Sequence, residues 1–132
     1  MLRVYIAGPI TGMQEYNVPA FAHATDLWRK AGWEVVNPVE LDDGDHSKDW
    51  LWYMRRDIPH LVQCDAIALL PGWSDSRGAV IEESIMATLG LPSFSALHAA
   101  TYMQHDFIEP GNICCGKPDY GHESLWRQNH GR

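Results

Sequence analysis

The fold is decided by residues 2–9, which read LRVYIAGP. The residues before Gly8 are apolar except for Arg3, and the run ends at Gly8 and Pro9. A short apolar run bounded by turn-forming residues is typical of a strand that is buried on both faces of a parallel sheet. Because parallel strands are joined by crossover connections, usually helices, this strand predicts an alternation of strands and helices along the chain.

The sequence after the first strand shows the expected alternation of helix and strand patterns. Apolar residues recur at steps of three and four from Phe21 to Ala31, which predicts a helix that begins near Pro19 and ends at Gly32. The alternation predicts a doubly wound, flavodoxin-like α/β fold with four to five parallel strands in the order 2-1-3-4(-5). Further strands are predicted at 33–37, 65–70 and 91–95, and further helices at 47–63, with a kink or break at Pro59, and at 78–89.

The chain has the length of one domain. Its 132 residues can bury a sizeable core, and no repeat, low-complexity segment or linker divides them. We therefore predict a single domain over residues 1–132. Within it, residues 97–132 lose the strand and helix pattern and are expected to form an irregular tail.

The charge balance disfavours one class of partner. Ten Lys and Arg residues stand against seventeen Asp and Glu residues, the formal net charge is −7, and no basic run occurs. A protein that binds DNA or RNA neutralises phosphates with basic side chains, so we expect no polymeric nucleic acid as a partner. A small anionic ligand stays open, because backbone N–H groups at a helix N-terminus can bind it.

The cysteines and the start of the chain bear on its location. Of three cysteines, Cys114 and Cys115 are adjacent, which does not suit a disulfide framework, and no Cys or His pair has the spacing of a zinc site. The first strand begins right after Met1, with no apolar segment long enough for a signal peptide or a membrane span. We therefore expect a cytoplasmic protein without a metal, a cofactor or a membrane partner.

Two loops are expected to meet where a doubly wound sheet binds its ligand. Such sheets bind ligands at the carboxyl ends of their strands, at the switch point, which here lies between the first and third strands. Both loops contain glycine, so the backbone can approach a ligand closely. Neither has a standard nucleotide fingerprint, so ordinary strand-to-helix turns remain the alternative. The candidate binding residues in the two loops are Gly8, Pro9, Thr11, Gly72, Trp73, Ser76, Arg77 and Gly78.

Glu82 is the candidate acid on the helix that follows the second loop. It lies four residues after Gly78, so a helix places its carboxylate on the same face, one turn in and directed at the switch point. Glu83 is rotated by about 100° around the helix and is the weaker candidate. The alternative for Glu82 is an acidic residue that merely suits the helix dipole.

Asp57 is a second acid whose role the spacing leaves open. It stands among Arg55, Arg56 and His60. From the residues alone, a solvated ion pair is the simplest interpretation of this cluster.

Three segments of the chain resemble the nucleoside 2-deoxyribosyltransferase superfamily. They cover about residues 4–95 and keep the order and spacing of that superfamily, and the loop 70–79 looks most like its uncharacterised phage and bacterial branch. The segments are Tyr5-Ile6-Ala7-Gly8-Pro9, then Asp57 with Cys64-Asp65-Ala66-Ile67, then Asp75-Ser76-x-Gly78 with Glu82 and Leu89-Gly90-x-Pro92.

The resemblance implies a role for each matching position. Glu82 matches the carboxylate nucleophile, Asp57 matches an acid near the base and the sugar, and Tyr5 matches a hydroxyl that orients the nucleophile. Gly8 and Pro9 match the loop beside the sugar. The resemblance also implies a homo-oligomer, a dimer or larger.

The implied activity is the cleavage or transfer of the N-glycosidic bond of a 2′-deoxynucleoside or its 5′-monophosphate. Cleavage builds positive charge on C1′ and the ring oxygen, which a nearby carboxylate stabilises while a second acid protonates the departing base. Retaining glycosidases hold two such carboxyls roughly 5–5.5 Å apart, and we expect a similar separation for Glu82 and Asp57. Arg77, Ser76 and Thr11 favour the monophosphate as the small-molecule ligand.

Two alternatives to this activity remain. The usual Gly-Thr pair of the superfamily is Gly78-Ala79 here, so a hydroxyl is missing, which favours a nucleotide-binding module without catalysis. The other alternative is a phosphoribohydrolase, since that class of enzyme also uses a glycine-rich loop followed by Glu.

Overall fold

A computed structural model describes residues 1–101 of the chain, with the backbone alone described at 100 and 101. The predicted irregular tail begins at residue 97, so most of it lies outside the described residues. Its described beginning belongs to a 3-10 helix, Ala96–Thr101.

Four parallel strands form one sheet, and their order is 2-1-3-4 as predicted. The first strand pairs with the second on one side and with the third on the other, so it is central. Its residues Tyr5 and Ala7 lie opposite Ile67 and Leu69 of the third strand. The strands are β1 (Arg3–Ala7), β2 (Glu34–Val36), β3 (Ala66–Leu69) and β4 (Ser93–Ser95).

Helices cover the crossovers between these strands, and two of them differ from the prediction. A short helix, α2, begins at Pro38, where Asn37 caps it by accepting from the N–H of Val39. The next helix begins after Asp49 rather than after Ser47, because Asp49 accepts from the N–H of Trp52. The helices are α1 (Val18–Lys30), α2 (Pro38–Asp42), α3 (Trp50–Leu61) and α4 (Arg77–Thr88).

The central strand divides the core into two layers, because alternate side chains point to opposite faces of a sheet. Val4 and Ile6 pack with α1, where Phe21 and Trp28 are fully buried. On the other face, Tyr5 and Ala7 pack with buried residues of α3, β3 and α4, among them Leu61, Ile67 and Met86. The face that carries Tyr5 is therefore the one that α4 covers.

Within residues 1–101, no helix is both long enough and apolar enough to cross a membrane.

Candidate active site

A cleft of about 590 Å³ opens at the carboxyl ends of β1 and β3. Residues from β1, the loop after it, α2, α3 and α4 line it. This is the switch point at which doubly wound sheets bind ligands. It brings together nine of the predicted site residues, which are Tyr5, Gly8, Pro9, Thr11, Asp57, Ser76, Arg77, Gly78 and Glu82.

Two predicted binding residues, Gly72 and Trp73, do not line this cleft. Trp73 is half-buried and packs on the core layer that contains Tyr5, so its ring serves the fold. Gly72 has φ +84°, a conformation that side chains disfavour, and it begins the 3-10 turn Trp73–Asp75.

Gly8 has a packing role as well as its place in the cleft. A Cβ at this position would lie 2.7 Å from the Cβ of Leu70, closer than side-chain carbons approach one another. The strands are held together here, since the N–H of Leu70 donates to the carbonyl of Ala7 at 2.8 Å. The glycine therefore allows the ends of β1 and β3 to converge beneath the cleft.

A buried hydrogen bond joins the two residues predicted to form the nucleophilic pair. The hydroxyl of Tyr5 donates to Oε2 of Glu82 at 2.5 Å, and the two residues are 0% and 6% exposed. Glu82 is in the second turn of α4, beyond the first turn in which the helix dipole acts, so the dipole does not account for its place.

Burial sets the protonation of this pair. Burial raises the pKa of the Glu82 carboxyl from its ordinary 4.5 to about 8, the hydrogen bond from Tyr5 acts to lower it, and the charge of Asp57 raises it. Burial, aided by the charges of Glu82 and Asp57, holds the pKa of the Tyr5 phenol well above its ordinary value. Tyr5 therefore keeps its proton and remains a donor to Glu82.

Asp57 lies on α3 beside this pair and is held by Arg56. Nε and Nη2 of Arg56 approach the same oxygen, Oδ1 of Asp57, at 2.8 and 2.7 Å. The Asp57 side chain is only 8% exposed, so the predicted solvated ion pair is in fact a buried one. Burial raises the pKa of Asp57, while the hydrogen bonds and charge of Arg56 act to lower it.

Asp42, at the end of α2, is a third buried acid of the cleft that sequence reasoning missed. Its Oδ1 lies 2.7 Å from Nη1 of Arg56, an ion pair without hydrogen-bond geometry. The loop 41–46 reads simply as acidic, so nothing marked Asp42 among its neighbours. The available signal was Asn37-Pro38, a helix cap followed by proline, which indicates that a helix begins there.

The N-terminus of α4 forms another part of the wall. Ser76 caps the helix by accepting from the N–H of Ala79 at 3.3 Å. The guanidinium of Arg77 lies 3.6 Å from the ring centroid of Trp50, and it forms no ion pair within the described part of the chain. A cation and a helix N-terminus at one place favour an anionic ligand group.

Two stacked rings form a further part of the wall. The centroids of Tyr16 and His46 are 3.7 Å apart, and their planes differ by 9°. Glu15, Tyr16 and Asn17 have φ of 53°, 53° and 60°, left-handed values that cost about 1–2 kcal/mol per residue. This strained segment is fixed by the ring stack and by Asn17, whose side-chain amide donates to the carbonyl of Pro9.

The described residues contain no group of three or more His, Cys, Asp or Glu side chains that could hold a metal ion.

The fold and the cleft define a doubly wound α/β protein with buried acids at the switch point of its sheet. Residues 2–94 match the model of a family described as a domain of unknown function, DUF4406. Because the match covers more than two thirds of the chain, the protein belongs to this family. A comparison with curated proteins finds no match.

Proposed function

We propose that the cleft cleaves or transfers the N-glycosidic bond of a 2′-deoxynucleoside or its 5′-monophosphate, as in the nucleoside 2-deoxyribosyltransferase superfamily that the sequence resembles. The observation that carries the proposal is the buried Tyr5–Glu82 hydrogen bond, in a cleft that Asp57 also lines. Structural ion pairs also bury acids, but Glu82 has no cationic partner within residues 1–101.

Glu82 acts as the nucleophile in this proposal. One oxygen of its carboxylate attacks C1′ of the sugar while the C1′–N bond breaks, and Tyr5 holds the carboxylate in place by its hydrogen bond. Positive charge develops on C1′ and the ring oxygen, which a neighbouring carboxylate stabilises. The raised pKa of Glu82 means that the neutral acid predominates at pH 7, so activity should increase toward pH 8.

Asp57 acts as the general acid. In this proposal Asp57 gives a proton to the departing base as the C1′–N bond breaks; burial acts to raise the pKa of its carboxyl, and Arg56 acts to lower it. Water or a second base then attacks C1′, the bond to Glu82 breaks, and the proton of the incoming group returns to Asp57. Hydrolase and transferase differ only in which acceptor fits the cleft.

The monophosphate is favoured by the helix end on the same cleft. Ser76, Arg77 and Thr11 all line it, and Arg77 has a charge that no acid among residues 1–101 neutralises. A phosphate at the N-terminus of α4 would accept from N–H groups and from this guanidinium. We also propose a homo-oligomer, as the resemblance implies, which sedimentation of the purified protein would test.

A nucleotide-binding module without catalysis is the second candidate. The observation that favours it is the Glu82 carboxyl itself, whose pKa of about 8 leaves the nucleophile mostly uncharged at pH 7. If the protein binds a nucleotide but releases no base throughout the range from pH 6 to pH 9, the binding module is the correct candidate.

Base release is the test of the proposed function. Purified protein is incubated with a panel of deoxynucleosides, deoxynucleoside monophosphates and their ribose counterparts, and free base is measured by chromatography. We expect release by the wild type and a loss of roughly a thousandfold or more in Glu82→Gln. Glu83→Gln, next to it but off the cleft wall, is the matched control and should keep the activity.

Absence of release from every compound, at high enzyme concentration and at pH 8, would overturn the enzymatic proposal. Release that Glu82→Gln leaves intact would overturn the role of Glu82.

A further inference from the structure

One part of the cleft wall belongs to none of the segments that carried the proposed function. It consists of Pro38, Asp42, His46 and Lys48, contributed by α2 and the loop after it, and is called here the α2 wall. Arg56 of α3 connects this wall to the proposed general acid, Asp57, through one ion pair on each side.

Arg56 is fully engaged by the protein. Its Nε and Nη2 contact Oδ1 of Asp57, its Nη1 contacts Oδ1 of Asp42, and Nη2 also donates to the carbonyl of Pro38. The hydroxyl of Tyr53, which also lines the cleft, donates to the carbonyl of Asp45. Neither the guanidinium nor this hydroxyl is therefore available to donate to a ligand.

Asp42 itself offers hydrogen-bond acceptors to a ligand. The Asp42 side chain is 5% exposed, and its Oδ1 is enclosed without a hydrogen bond. Oδ2 of Asp42 likewise has no hydrogen-bond donor among the side chains that the structure describes. An ionised carboxylate only accepts hydrogen bonds, and Arg56 contacts only one of the two oxygens of Asp42. Oδ1 is enclosed, so a ligand that lies against Asp42 must present a donor to Oδ2.

The same wall offers an aromatic surface. The ring of His46 is stacked on that of Tyr16, and both line the cleft. Planar rings pack well on such surfaces. A flat ligand group with a hydrogen-bond donor on its edge therefore suits both features of the wall.

We propose that the α2 wall selects a nucleobase that carries an exocyclic amino group, adenine or cytosine, with Asp42 as the residue that determines this specificity. The inference rests on the proposed function, because it takes the ligand to be a nucleotide. An amino group supplies an N–H donor to the Asp42 carboxylate. Hypoxanthine and uracil carry a carbonyl at the same position, which would set one acceptor against another.

Isosteric ligand pairs test the inference. Affinity is measured by calorimetry, and base release by chromatography, for the 5′-monophosphates of deoxyadenosine against deoxyinosine and of deoxycytidine against deoxyuridine. We expect the wild type to prefer the amino member of at least one pair by roughly tenfold to a hundredfold, the range of a hydrogen bond to a charged group. Asp42→Asn, whose amide can also donate, should abolish or reverse that preference.

Glu40→Gln is the matched control. Glu40 lies on the same helix but forms an exposed ion pair with Arg29 away from the cleft, so its variant should keep the preference. The affinities for the four nucleotides are also measured with the Glu82→Gln variant, so that binding is determined without turnover. Should Asp42→Asn fail to fold by circular dichroism, the wild-type ratios decide by themselves.

The two proposals fail in different ways. If none of the four nucleotides binds or reacts, the proposed function fails and this inference falls with it. If they bind or react with equal strength, or if Asp42→Asn keeps the wild-type preference, this inference alone is overturned and the proposed function stands.

Discussion

The hydrogen bond from Tyr5 to Glu82 affects the pKa of Glu82, and a single substitution tests this effect. It acts to lower the pKa of Glu82, against the larger effect of burial. Tyr5→Phe keeps the ring in the core and removes the donor, so the pKa of Glu82 should rise further. We expect the alkaline rise in kcat/KM to move to higher pH, with a loss of roughly tenfold to a hundredfold at pH 7.

A pH profile of base release measures this change, and thermal unfolding checks that the Phe variant keeps its fold. A profile that coincides with that of the wild type would show that Tyr5 does not control the ionisation of Glu82.

Glu82 should also make stability depend on pH. Its pKa is about 8 in the folded chain and near 4.5 when exposed, so between these values the folded state binds more protons than the unfolded state. The stability that protonation of Glu82 gives the folded state is therefore complete below pH 4.5. The free energy of unfolding then falls as pH rises to about 8, at a slope on the order of 1 kcal/mol per pH unit.

Urea unfolding of the wild type and of Glu82→Gln at pH 5, 6, 7 and 8 measures this slope. Glu82→Gln should gain stability relative to the wild type as pH rises, while Glu83→Gln should run parallel to the wild type. Parallel curves for all three proteins would contradict a buried Glu82 carboxyl.

The residues of the site differ in how far the sequence predicted them. Glu82 follows from helical spacing after Gly78, and the structure places both on the cleft wall. Asp42 did not follow from the sequence, because its burial depends on Arg56, an ion pair between segments far apart in the chain. The prediction that Asp57 is exposed to solvent was wrong for the same reason, because the packing that buries its ion pair involves segments that are far apart in the sequence.

At the scale of elements, the junction of β1 with the loop after it has no space for a side chain at Gly8. Gly8→Ala would set a Cβ 2.7 Å from the Cβ of Leu70, where neither strand end can move freely. We expect a loss of about 1–3 kcal/mol in unfolding free energy, typical of overpacking. Base release should also fall, because Gly8 lines the cleft.

Gly12→Ala is the comparison for that change. Gly12 has φ +81° but open space where a Cβ would lie, so conformational strain alone should cost about 1 kcal/mol. Urea unfolding ranks the two variants, and a Gly8→Ala protein as stable as Gly12→Ala would contradict the close approach of β1 and β3.

The elements were predictable where a long apolar period marks them. All four strands and the helices α1, α3 and α4 follow from the sequence, with ends shifted by a few residues. The five-residue α2 was not predicted, because it is too short to show a period. Pro59 does not end α3, which runs on to Leu61, because the proline lies in the last turns of the helix and is exposed.

At the scale of the whole molecule, the strand order was predictable because handed crossovers leave few topologies for alternating strands and helices. That order places the carboxyl ends of β1 and β3 side by side, and the position of the cleft follows from it. The fifth strand that was allowed for does not occur within residues 1–101. What the fold does not determine is which ligand enters, since one doubly wound sheet serves many chemistries.

The net charge of −7 bears on whether the substrate is a free nucleotide or a nucleotide within a strand. A polyanion is repelled by such a protein, whereas a single phosphate needs only the local groups at the start of α4. We therefore expect base release from a deoxynucleoside monophosphate to exceed, by roughly a hundredfold or more, release from a single-stranded oligonucleotide of the same base. Both substrates are compared by chromatography at low and at physiological salt, with Glu82→Gln as the blank. Base release from the oligonucleotide that is comparable, and that falls steeply as salt increases, would contradict this expectation. It would mean that the cleft accepts a strand and that the cations near the cleft outweigh the net negative charge of the protein.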